Sequence, residues 1–421
     1  MFLSSIADIE LYLNQLPVWS RDYNHRIEHV KAVLTSLGEP QNNIPSIHIA
    51  GTSGKGSTAY YSSEILSQLG YKVGLVVSPH VITVKERSQI NSQPLSDEEY
   101  ILYFNKFVTI VQNFTLTYTE FLTVFAYWLF AKLKVNYMVI EVGLGGRLDP
   151  TNVITRPQTV RAITDIGFDH MDFLGHTLTA IAYEKAGIIH EKDYVLMNEQ
   201  TPAVMEVIIN KASQMHATLF VISKNPNLAL NKLPLYQRRN WRLAHQLVNQ
   251  RLILDQKPCP NVETLKKTLE IKIPGRFDKI LINGTTLILD AAHNPQKITA
   301  LVESLIENLP EKKPIVVVAF GKNKEDSVHE SLLLLESIAA QFVTTEFHLD
   351  YSVGHDAIPS DKLLKLIHHE NIDSINIPQL EKALVESIKM ARQQQTYVLI
   401  TGSFYLLNNV YSLLKLLERT A

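Results

Sequence analysis

The sequence contains a single cysteine, Cys259, among its 421 residues. One cysteine excludes an internal disulfide framework and a metal site built from several cysteines. The formal net charge of −2 gives no electrostatic footprint for nucleic acid or for an anionic membrane surface. The most apolar run, residues 121–131, is too short to cross a bilayer. We therefore expect no membrane span and no nucleic-acid partner.

The amino terminus also lacks the features of a signal peptide. Residues 1–17 carry Asp8 and Glu10, and they have neither a basic segment nor a small-residue cleavage site. The spacing of their apolar residues predicts an amphipathic helix instead. The expected location is therefore the cytoplasm.

What the chain does have is the length and the alternation of an α/β enzyme. At 421 residues it is too long for one ordinary core, and it is 46% hydrophobic and 19% charged, as globular proteins are. Strand-like and helix-like segments alternate throughout, which predicts parallel sheets with ligands at the carboxyl ends of the strands. The stretch Ile273-Pro274-Gly275-Arg276-Phe277 has the composition of a hinge. It predicts two domains, 1–273 and 274–421.

One segment near the amino terminus predicts a nucleotide site. An apolar strand, 44–50, leads into Gly51-Thr52-Ser53-Gly54-Lys55-Gly56-Ser57-Thr58, and a helical pattern follows. Strand, glycine-rich turn and helix are the context of a phosphate-binding loop, in which backbone N–H groups and the helix N-terminus face phosphate. Lys55 adds a mobile charge, and Ser57 or Thr58 offers a hydroxyl to Mg²⁺. The usual G-x-x-x-x-G-K-[ST] pattern is incomplete, so a ligand-free turn is the alternative.

A second informative segment is the apolar strand 137–142, which contains Glu141 and runs into Gly143, Gly145, Gly146 and Arg147. Burying a lone carboxylate is costly unless a cation or donors compensate it. Beside a phosphate loop, such a glutamate is a metal-ligand candidate. The alternative is a structural ion pair between Glu141 and Arg147.

Polar residues recur at other strand ends. Ser78 ends the strand 72–77, where it serves either as a ligand or as a turn cap. His170 lies between Asp169 and Asp172 after the strand 160–166, a setting that suits a divalent ion. Lys185 is placed on a mostly apolar helix end, where it reads locally as a snorkelling surface lysine.

The rest of the chain continues the alternation. A polar stretch, 224–240, precedes a helix that is predicted to begin at Asn240 as its N-cap. A strand beginning at Thr286 ends in Asp290-Ala291-Ala292-His293-Asn294-Pro295. Polar groups therefore gather at strand ends in this half of the chain too.

Taken together and in order, these strings resemble the folylpolyglutamate synthase/dihydrofolate synthase family of the Mur ligase superfamily. The resemblance extends from about residue 25 to residue 405 and rests on seven strings. They are 48–57, Ser78-Pro79-His80, 141–149, Asp169-His170, 184–188, 274–277 and 290–295. It implies a P-loop NTPase-like central domain, which carries ATP and the pterin, followed by a smaller Rossmann-like α/β domain for glutamate ligation.

The resemblance also implies an activity, namely ATP-dependent addition of L-glutamate to folate through an acyl phosphate. Lys55 and its loop would hold the nucleotide phosphates, and Ser78, Glu141 and His170 would hold Mg²⁺, with two metal sites. In the family the lysine that matches Lys185 is carbamylated, which makes it an anionic support for the metal. Asn240, Arg276, Asp290 and His293 match ATP contacts. The pterin site would be lined by Thr117-Tyr118-Thr119-Glu120 and Arg147.

Several positions depart from the family pattern. Ser53 and Ala291 replace the usual Asn and Gly, and the segment 84–87 differs from the sequence that is common in the family. This segment, together with the absence of a Gly-Leu pair in residues 20–27, leaves open whether dihydropteroate is accepted as well as reduced folates. Two other readings also stay open, a Mur-type ligase for another carboxylate and a nucleotide-binding protein without ligase activity. A monomer is the expected state.

Overall fold

In a computed structural model, the chain divides into two compact units. The structure describes residues 2–17, 26–222, 230, 232–348, 356–367 and 372–420. The first unit comprises Met1–Leu230 and Gln237–Ile271, and the second comprises Asn231–Tyr236 and Lys272–Ala421. Among the described residues, no helix combines the length and the apolar character needed to cross a membrane.

The first unit is built on a seven-stranded sheet of order β3-β2-β4-β1-β5-β6-β7. All neighbours are parallel except β2 and β3. The strands are β1 Ser46–Ala50, β2 Val73–Val76, β3 Gln89–Ile90, β4 Tyr137–Glu141, β5 Val160–Ile163, β6 Tyr194–Asn198 and β7 Thr218–Ile222. Strands β1, β2, β4 and β5 are buried along their whole length, as the apolar runs predict for central parallel strands.

Helices connect and cover these strands. They are α1 Ile6–Asn14, α2 Arg26–Ser36, α3 Pro40–Asn43, α4 Lys55–Gln68, α5 Asp97–Val111, α6 Tyr118–Lys132, α7 Met171–Leu174, α8 Leu178–Ala186, α9 Pro202–Gln214, α10 Leu235–Leu254 and α11 Val262–Lys267. Helix α6 is apolar on nearly every face and is buried from Glu120 to Phe130. Its Phe121 and Phe125 rings pack edge-on or tilted against Phe107 of α5, which holds α6 against α5.

The second unit contains a six-stranded sheet of order β12-β11-β10-β13-β9-β8, parallel except for the pair β8 and β9. Its strands are β8 Asp278–Ile282, β9 Thr285–Leu289, β10 Ile315–Val318, β11 Gln341–Thr344, β12 Ser374–Asn376 and β13 Val398–Thr401. Its helices are α12 Pro295–Asn308, α13 Glu325–Glu336, α14 Ser360–Lys365, α15 Leu380–Gln393 and α16 Phe404–Thr420. The predicted class, α/β with two parallel-rich sheets, is confirmed.

One local prediction is wrong, and one strand was not predicted. The helix expected from Asn240 begins at Leu235, so Asn240 lies in its interior rather than at its cap. Of the polar stretch 224–240, residues 224–229 and 231 lie outside the described part of the chain, and 235–240 are helical. The structure also adds strand β8, which joins β9 through Asn283 and Gly284, both at positive φ. An Asn-Gly pair is the usual two-residue hairpin turn, so the sequence carried this signal.

The packing of α6 on β2 generates a stability prediction. A Cβ atom on Gly74 of β2 would lie 2.6 Å from the Phe130 ring of α6. Gly74→Ala should therefore lower the free energy of unfolding of the first unit by about 1–3 kcal/mol, the usual cost of overpacking. Phe130→Leu should reduce this cost, as measured by urea unfolding of the four members of a double-mutant cycle. Equal costs of Gly74→Ala in both backgrounds would contradict the contact.

Candidate functional site

The phosphate loop, residues 51–58, is formed where β1 runs into α4. Gly51 and Gly54 both have positive φ, 148° and 90°. A Cβ atom on Gly51 would lie 1.8 Å from Thr164 Oγ1, and one on Gly54 would lie 2.3 Å from Asn240 Oδ1. Only glycine fits these two positions, so the loop is a tight backbone turn between β1, β5 and α10.

The strand β5 and helix α10 also hold the loop from behind. The backbone N–H groups of Thr52 and Ser53 donate to the Asp165 carbonyl at 2.8 and 3.0 Å. The Asp165 carboxylate pairs with Arg239 of α10 at 2.5 Å. The predicted ATP residue Asn240 is therefore next to the loop, although it is not the helix cap that the sequence suggested.

Two lysines from different elements meet at one atom of the loop. Lys55 Nζ donates to the Gly51 carbonyl at 3.0 Å, and Lys185 Nζ of α8 donates to the same carbonyl at 2.8 Å. The Lys185 side chain is buried rather than snorkelling, with 4% relative exposure. Two ammonium groups therefore lie beside the N-terminus of α4, a position that suits phosphate oxygens. An anion bound there would relieve their mutual repulsion.

The first turn of α4 adds two hydroxyl groups. Ser57 Oγ and Thr58 Oγ1 are buried and have no hydrogen-bond partner among the described residues. Leaving buried hydroxyls without a partner is costly, and functional sites are where such groups are found. Ser57 is thus a candidate ligand for a phosphate oxygen or a metal ion.

Glu141 ends β4 and lies directly beside the phosphate loop. It is 4% exposed, and its Oε2 accepts a hydrogen bond of 2.9 Å from the backbone N–H of Ser78. A Cβ atom on Gly56 would lie 3.3 Å from the same oxygen. The structure therefore brings the predicted metal ligands Ser78 and Glu141 together against α4. Arg147 does not neutralise Glu141 in a structural ion pair, because its guanidinium binds Glu184 at 3.0 Å.

The third predicted metal ligand is placed at the next strand end. His170 is the N-cap of α7, and its ring is 41% exposed with Nε2 3.8 Å from Asp169 Oδ1. In the described part of the chain, no three His, Cys, Asp or Glu side chains form a metal-binding cluster. Mg²⁺ needs no such cluster, because it commonly takes one or two carboxylates plus substrate phosphates and water. The oxygen donors of Ser57, Ser78 and Glu141 fit that ion.

A cavity of about 550 Å³ adjoins Glu141. Its wall includes Ser78, Arg87, Thr119, Glu141, the loop 143–151 and Phe173. Two of the predicted pterin residues, Thr119 and Arg147, line it. A volume of this size suits a small ligand, and the mixed polar and apolar wall suits a heterocycle.

The other predicted pterin residues have structural contacts. Glu120 Oε2 accepts from the Thr117 backbone N–H at 2.8 Å, which forms the capping box of α6. The Tyr118 ring faces the Arg87 guanidinium at 6.0 Å. Arg87 in turn donates to Ser78 Oγ at 2.7 Å and to His80 Nδ1 at 3.1 Å. Arg87 is therefore a cavity residue that the sequence reasoning did not single out.

Asp149 is a second cavity residue that sequence reasoning left without a role. It is 6% exposed and accepts hydrogen bonds from Leu144 N–H at 2.9 Å, Thr151 N–H at 2.9 Å and Thr151 Oγ1 at 2.5 Å. Burial raises the pKa of its carboxyl group, while these donors act in the opposite direction. The loop 143–151 is folded around this carboxylate.

Three of the predicted ATP residues lie in the second unit. Asp290 is buried, which raises its pKa, and it accepts hydrogen bonds from Tyr236 Oη at 2.6 Å and from the Phe277 and Ala292 N–H groups at 2.9 Å. The Arg276 guanidinium lies over the Phe404 ring at 4.6 Å. His293 Nε2 lies 3.0 Å from Lys297 Nζ and accepts a hydrogen bond from it, because an ammonium group can only donate. Contact of these three residues with ATP stays a prediction.

Comparison with known proteins gives the same class as the geometry. Residues 49–278 match the Mur ligase middle domain, and residues 275–404 match the Mur ligase glutamate ligase domain. A phosphate loop with a strand-end glutamate, followed by this second domain, defines the chain as a Mur ligase, an ATP-dependent carboxylate–amine ligase.

Full-length relatives narrow the class. The chain is 31% identical to the dihydrofolate synthase/folylpolyglutamate synthase of Haemophilus influenzae, covering 85% of this chain and 86% of that protein. It is 29% identical to the Bacillus subtilis protein of that name, covering 92% and 94%. The crystal structure of the bifunctional Yersinia pestis enzyme with AMPPNP and a Mn ion superposes with a TM-score of 0.81, at 26% identity and 98% coverage of each chain. The chain belongs to the folylpolyglutamate synthase/dihydrofolate synthase family.

The position of Glu141 generates a prediction on metal dependence. Glu141→Gln keeps the acceptor for the Ser78 N–H but removes the negative charge. We expect it to raise the Mg²⁺ concentration needed for half-maximal ATP binding by at least about tenfold, since losses around metal ligands have effects of this size. Calorimetric titration of ATP at a series of Mg²⁺ concentrations measures this shift.

A matched control is Glu336→Gln, which neutralises an equally buried glutamate on α13 of the second unit, 5% exposed. It should leave the Mg²⁺ requirement unchanged. An unchanged requirement in Glu141→Gln would remove Glu141 from the metal site.

Proposed function

We propose that this protein is a ligase that joins L-glutamate to a folate-type carboxylate at the expense of ATP. One observation carries the proposal: Glu141 borders the phosphate loop on one side and the cavity on the other. The terminal phosphate of ATP and the carboxylate of a substrate would therefore meet beside Glu141. The family relatives support the same substrates.

The chemistry has two balanced steps. A carboxylate oxygen of the acceptor attacks the γ-phosphorus of ATP, the bond to the β-phosphate oxygen breaks, and ADP leaves. The amine nitrogen of L-glutamate then attacks the acyl carbon, an amide forms, and phosphate departs while the amine loses its protons to solvent. Little covalent chemistry is required of the protein, whose task is to position the groups and to offset charge.

The residues of the first unit supply those two functions. Lys55 and the N–H groups at the start of α4 would bind the phosphates. Mg²⁺ would be held by Ser78, Glu141 and His170, with two ions proposed, and would neutralise charge on the transferring phosphoryl group. The nucleotide and Mn ion of the Yersinia pestis structure support nucleotide and divalent-metal binding.

Lys185 has a further proposed role as a carbamate. As an ammonium group it donates to the Gly51 carbonyl, as Lys55 does, so two cations lie at one atom of the loop. Reaction of its neutral amine with CO₂ would replace that cation with an anion, which would remove the repulsion and support a metal ion. The burial of Lys185 and its contact with the loop support this proposal.

For Lys185, the test is chemical rescue. We expect Lys185→Ala to lose turnover, because no anion remains at this position. Short-chain carboxylic acids should restore part of the rate, and bicarbonate should not, since the variant has no amine to carbamylate. Wild-type-like turnover in Lys185→Ala would contradict the role. Lys211→Ala, which removes a half-buried lysine on α9, is the control and should keep full turnover.

The acceptor class is tested by a substrate panel. ADP release should require both L-glutamate and a pterin acceptor, offered separately as dihydropteroate, dihydrofolate and tetrahydrofolate. Stimulation by dihydropteroate would show a dihydrofolate synthase activity, and stimulation by the other two would show polyglutamate synthesis. If none of them stimulates ADP release, the folate assignment is wrong, and a Mur-type ligase for another carboxylate becomes the better reading.

The phosphate loop, Glu141 and the cavity are all built by one chain, so the phosphoryl-transfer half of the activity requires no second copy, and we propose a monomer. We also propose that the protein acts in the cytoplasm, where ATP and folates would be available to it.

A further inference from the structure

A buried chain of hydrogen bonds crosses the first unit behind the cavity. It runs from Arg161 of β5 to His48 of β1, then to Thr151 and Asp149 of the loop 143–151. The three links are 2.6 Å from Arg161 NH1 to His48 Nδ1, 2.9 Å from His48 Nε2 to Thr151 Oγ1, and 2.5 Å from Thr151 Oγ1 to Asp149 Oδ1. We call these four residues the buried relay. They are 6% exposed or less.

Chemistry fixes the direction of every link. A guanidinium group only donates, so His48 Nδ1 must accept, and the proton of the neutral ring must be on Nε2. That N–H donates to Thr151 Oγ1, whose own hydroxyl is then directed to Asp149. The relay thus has one consistent proton arrangement, which ends on the acceptor oxygens of Asp149.

Asp149 uses these oxygens to close the loop that lines the cavity. Besides the Thr151 hydroxyl, it accepts hydrogen bonds from the backbone N–H groups of Leu144 and Thr151. Three donors therefore converge on one carboxylate, and they come from both ends of the loop 143–151. The position of this carboxylate determines the shape of the cavity wall.

The far end of the relay is anchored in the sheet. His48 and Arg161 are register partners on β1 and β5. Arg161 also donates to Asp193 at 2.8 Å and to the Ile154 carbonyl at 2.8 Å, and Arg161 and Asp193 are 0% and 1% exposed. A buried ion pair contributes little net stability compared with apolar packing, so stability alone does not explain this arrangement. A requirement for one fixed geometry of the Arg161 side chain explains this arrangement.

We propose that the buried relay positions the cavity wall and thereby sets the affinity for the acceptor substrate. His48, Thr151 and Arg161 are positioning residues, which act through Asp149 and the loop. The link to an acceptor rests on the proposed function, whereas the effect on the loop does not. The phosphate loop has its own supports at Thr164, Asp165 and Asn240, so the affinity for ATP should not depend on the relay.

The test removes one hydroxyl in two matched pairs. Thr151→Val is nearly isosteric with the wild type, and Thr151→Ala differs from Thr151→Ser only by the hydroxyl. We expect the KM for the pterin acceptor to rise about tenfold in Thr151→Val, the effect of losing one hydrogen bond to a charged group. The KM for the pterin acceptor should also be about tenfold higher in Thr151→Ala than in Thr151→Ser. The kcat and the KM for ATP should stay within about twofold, for Val relative to the wild type and for Ala relative to Ser.

Thr268→Val is the control for a general loss of stability. Thr268 is also buried, and its hydroxyl accepts a hydrogen bond from Trp241 Nε1 at 2.8 Å and donates one to the Leu265 carbonyl at 2.7 Å. Neither partner belongs to the buried relay. The midpoint temperature of thermal unfolding should fall in Thr268→Val as it does in Thr151→Val, but the KM of Thr268→Val for the acceptor should not change. An equal KM change in both variants, or a parallel rise in the KM for ATP, would overturn the proposal.

A second measurement does not depend on turnover. Hydrogen exchange of the amides of residues 143–151 in the ligand-free protein should be faster by about tenfold in Thr151→Val and Thr151→Ala, and near wild type in Thr151→Ser. Unchanged exchange in the Val and Ala variants would refute the relay even in an active enzyme. Absence of turnover in the wild type, with the exchange difference present, would refute only the proposed function.

Discussion

The site depends on the close packing of the phosphate loop against the sheet. Gly51 lies so near Thr164 that no side chain fits, and its carbonyl accepts hydrogen bonds from both Lys55 and Lys185. Lys185 is 134 residues from Gly51 in the sequence, so the packing of α8 against the loop brings it to this carbonyl. Charges that are fixed in place before substrate binds need no reorganisation during the reaction, which is how preorganised sites lower barriers.

The position of Glu141 follows from the same sheet. Parallel strands place their carboxyl ends on one edge, so the ends of β1, β2 and β4 bring the phosphate loop, Ser78 and Glu141 together. The loop 143–151 continues from β4 and forms one wall of the cavity. A single strand therefore connects the phosphate loop to the cavity, and the proposed phosphoryl transfer would take place where β4 ends.

Sequence reasoning predicted the features that are local. The strand–loop–helix order around Lys55 and the strand-end Glu141 each occupy one short segment, and their patterns follow from backbone geometry. Asn240 was predicted as an ATP contact from family resemblance. The structure places it against Gly54, but inside a helix that begins at Leu235. Helix starts are hard to predict here because no capping residue precedes 235 to mark one.

The features that the sequence did not reveal depend on contacts between distant segments. The link from Arg161 to His48 joins residues 113 positions apart, and the link from His48 to Thr151 joins residues 103 apart. Each residue alone has an ordinary local explanation, such as a polar residue within a strand or a threonine in a turn. Only the pairing of β1 with β5 makes His48 and Arg161 neighbours.

This difference has a physical cause. Apolar periodicity specifies which faces are buried, and any apolar side chain of suitable size satisfies it. A buried polar side chain instead needs one particular partner at one distance, and leaving it without that partner costs free energy. In the sheet of the first unit, His48 and Arg161 are buried polar residues that need such partners. They lie on β1 and β5, the strands next to the phosphate loop. Apolar residues there would give a simpler core, but they would remove the hydrogen bond from His48 that orients the Thr151 hydroxyl towards Asp149. The polar core and the cavity wall are thus one structural solution, in which the interior of the sheet determines the geometry at its edge.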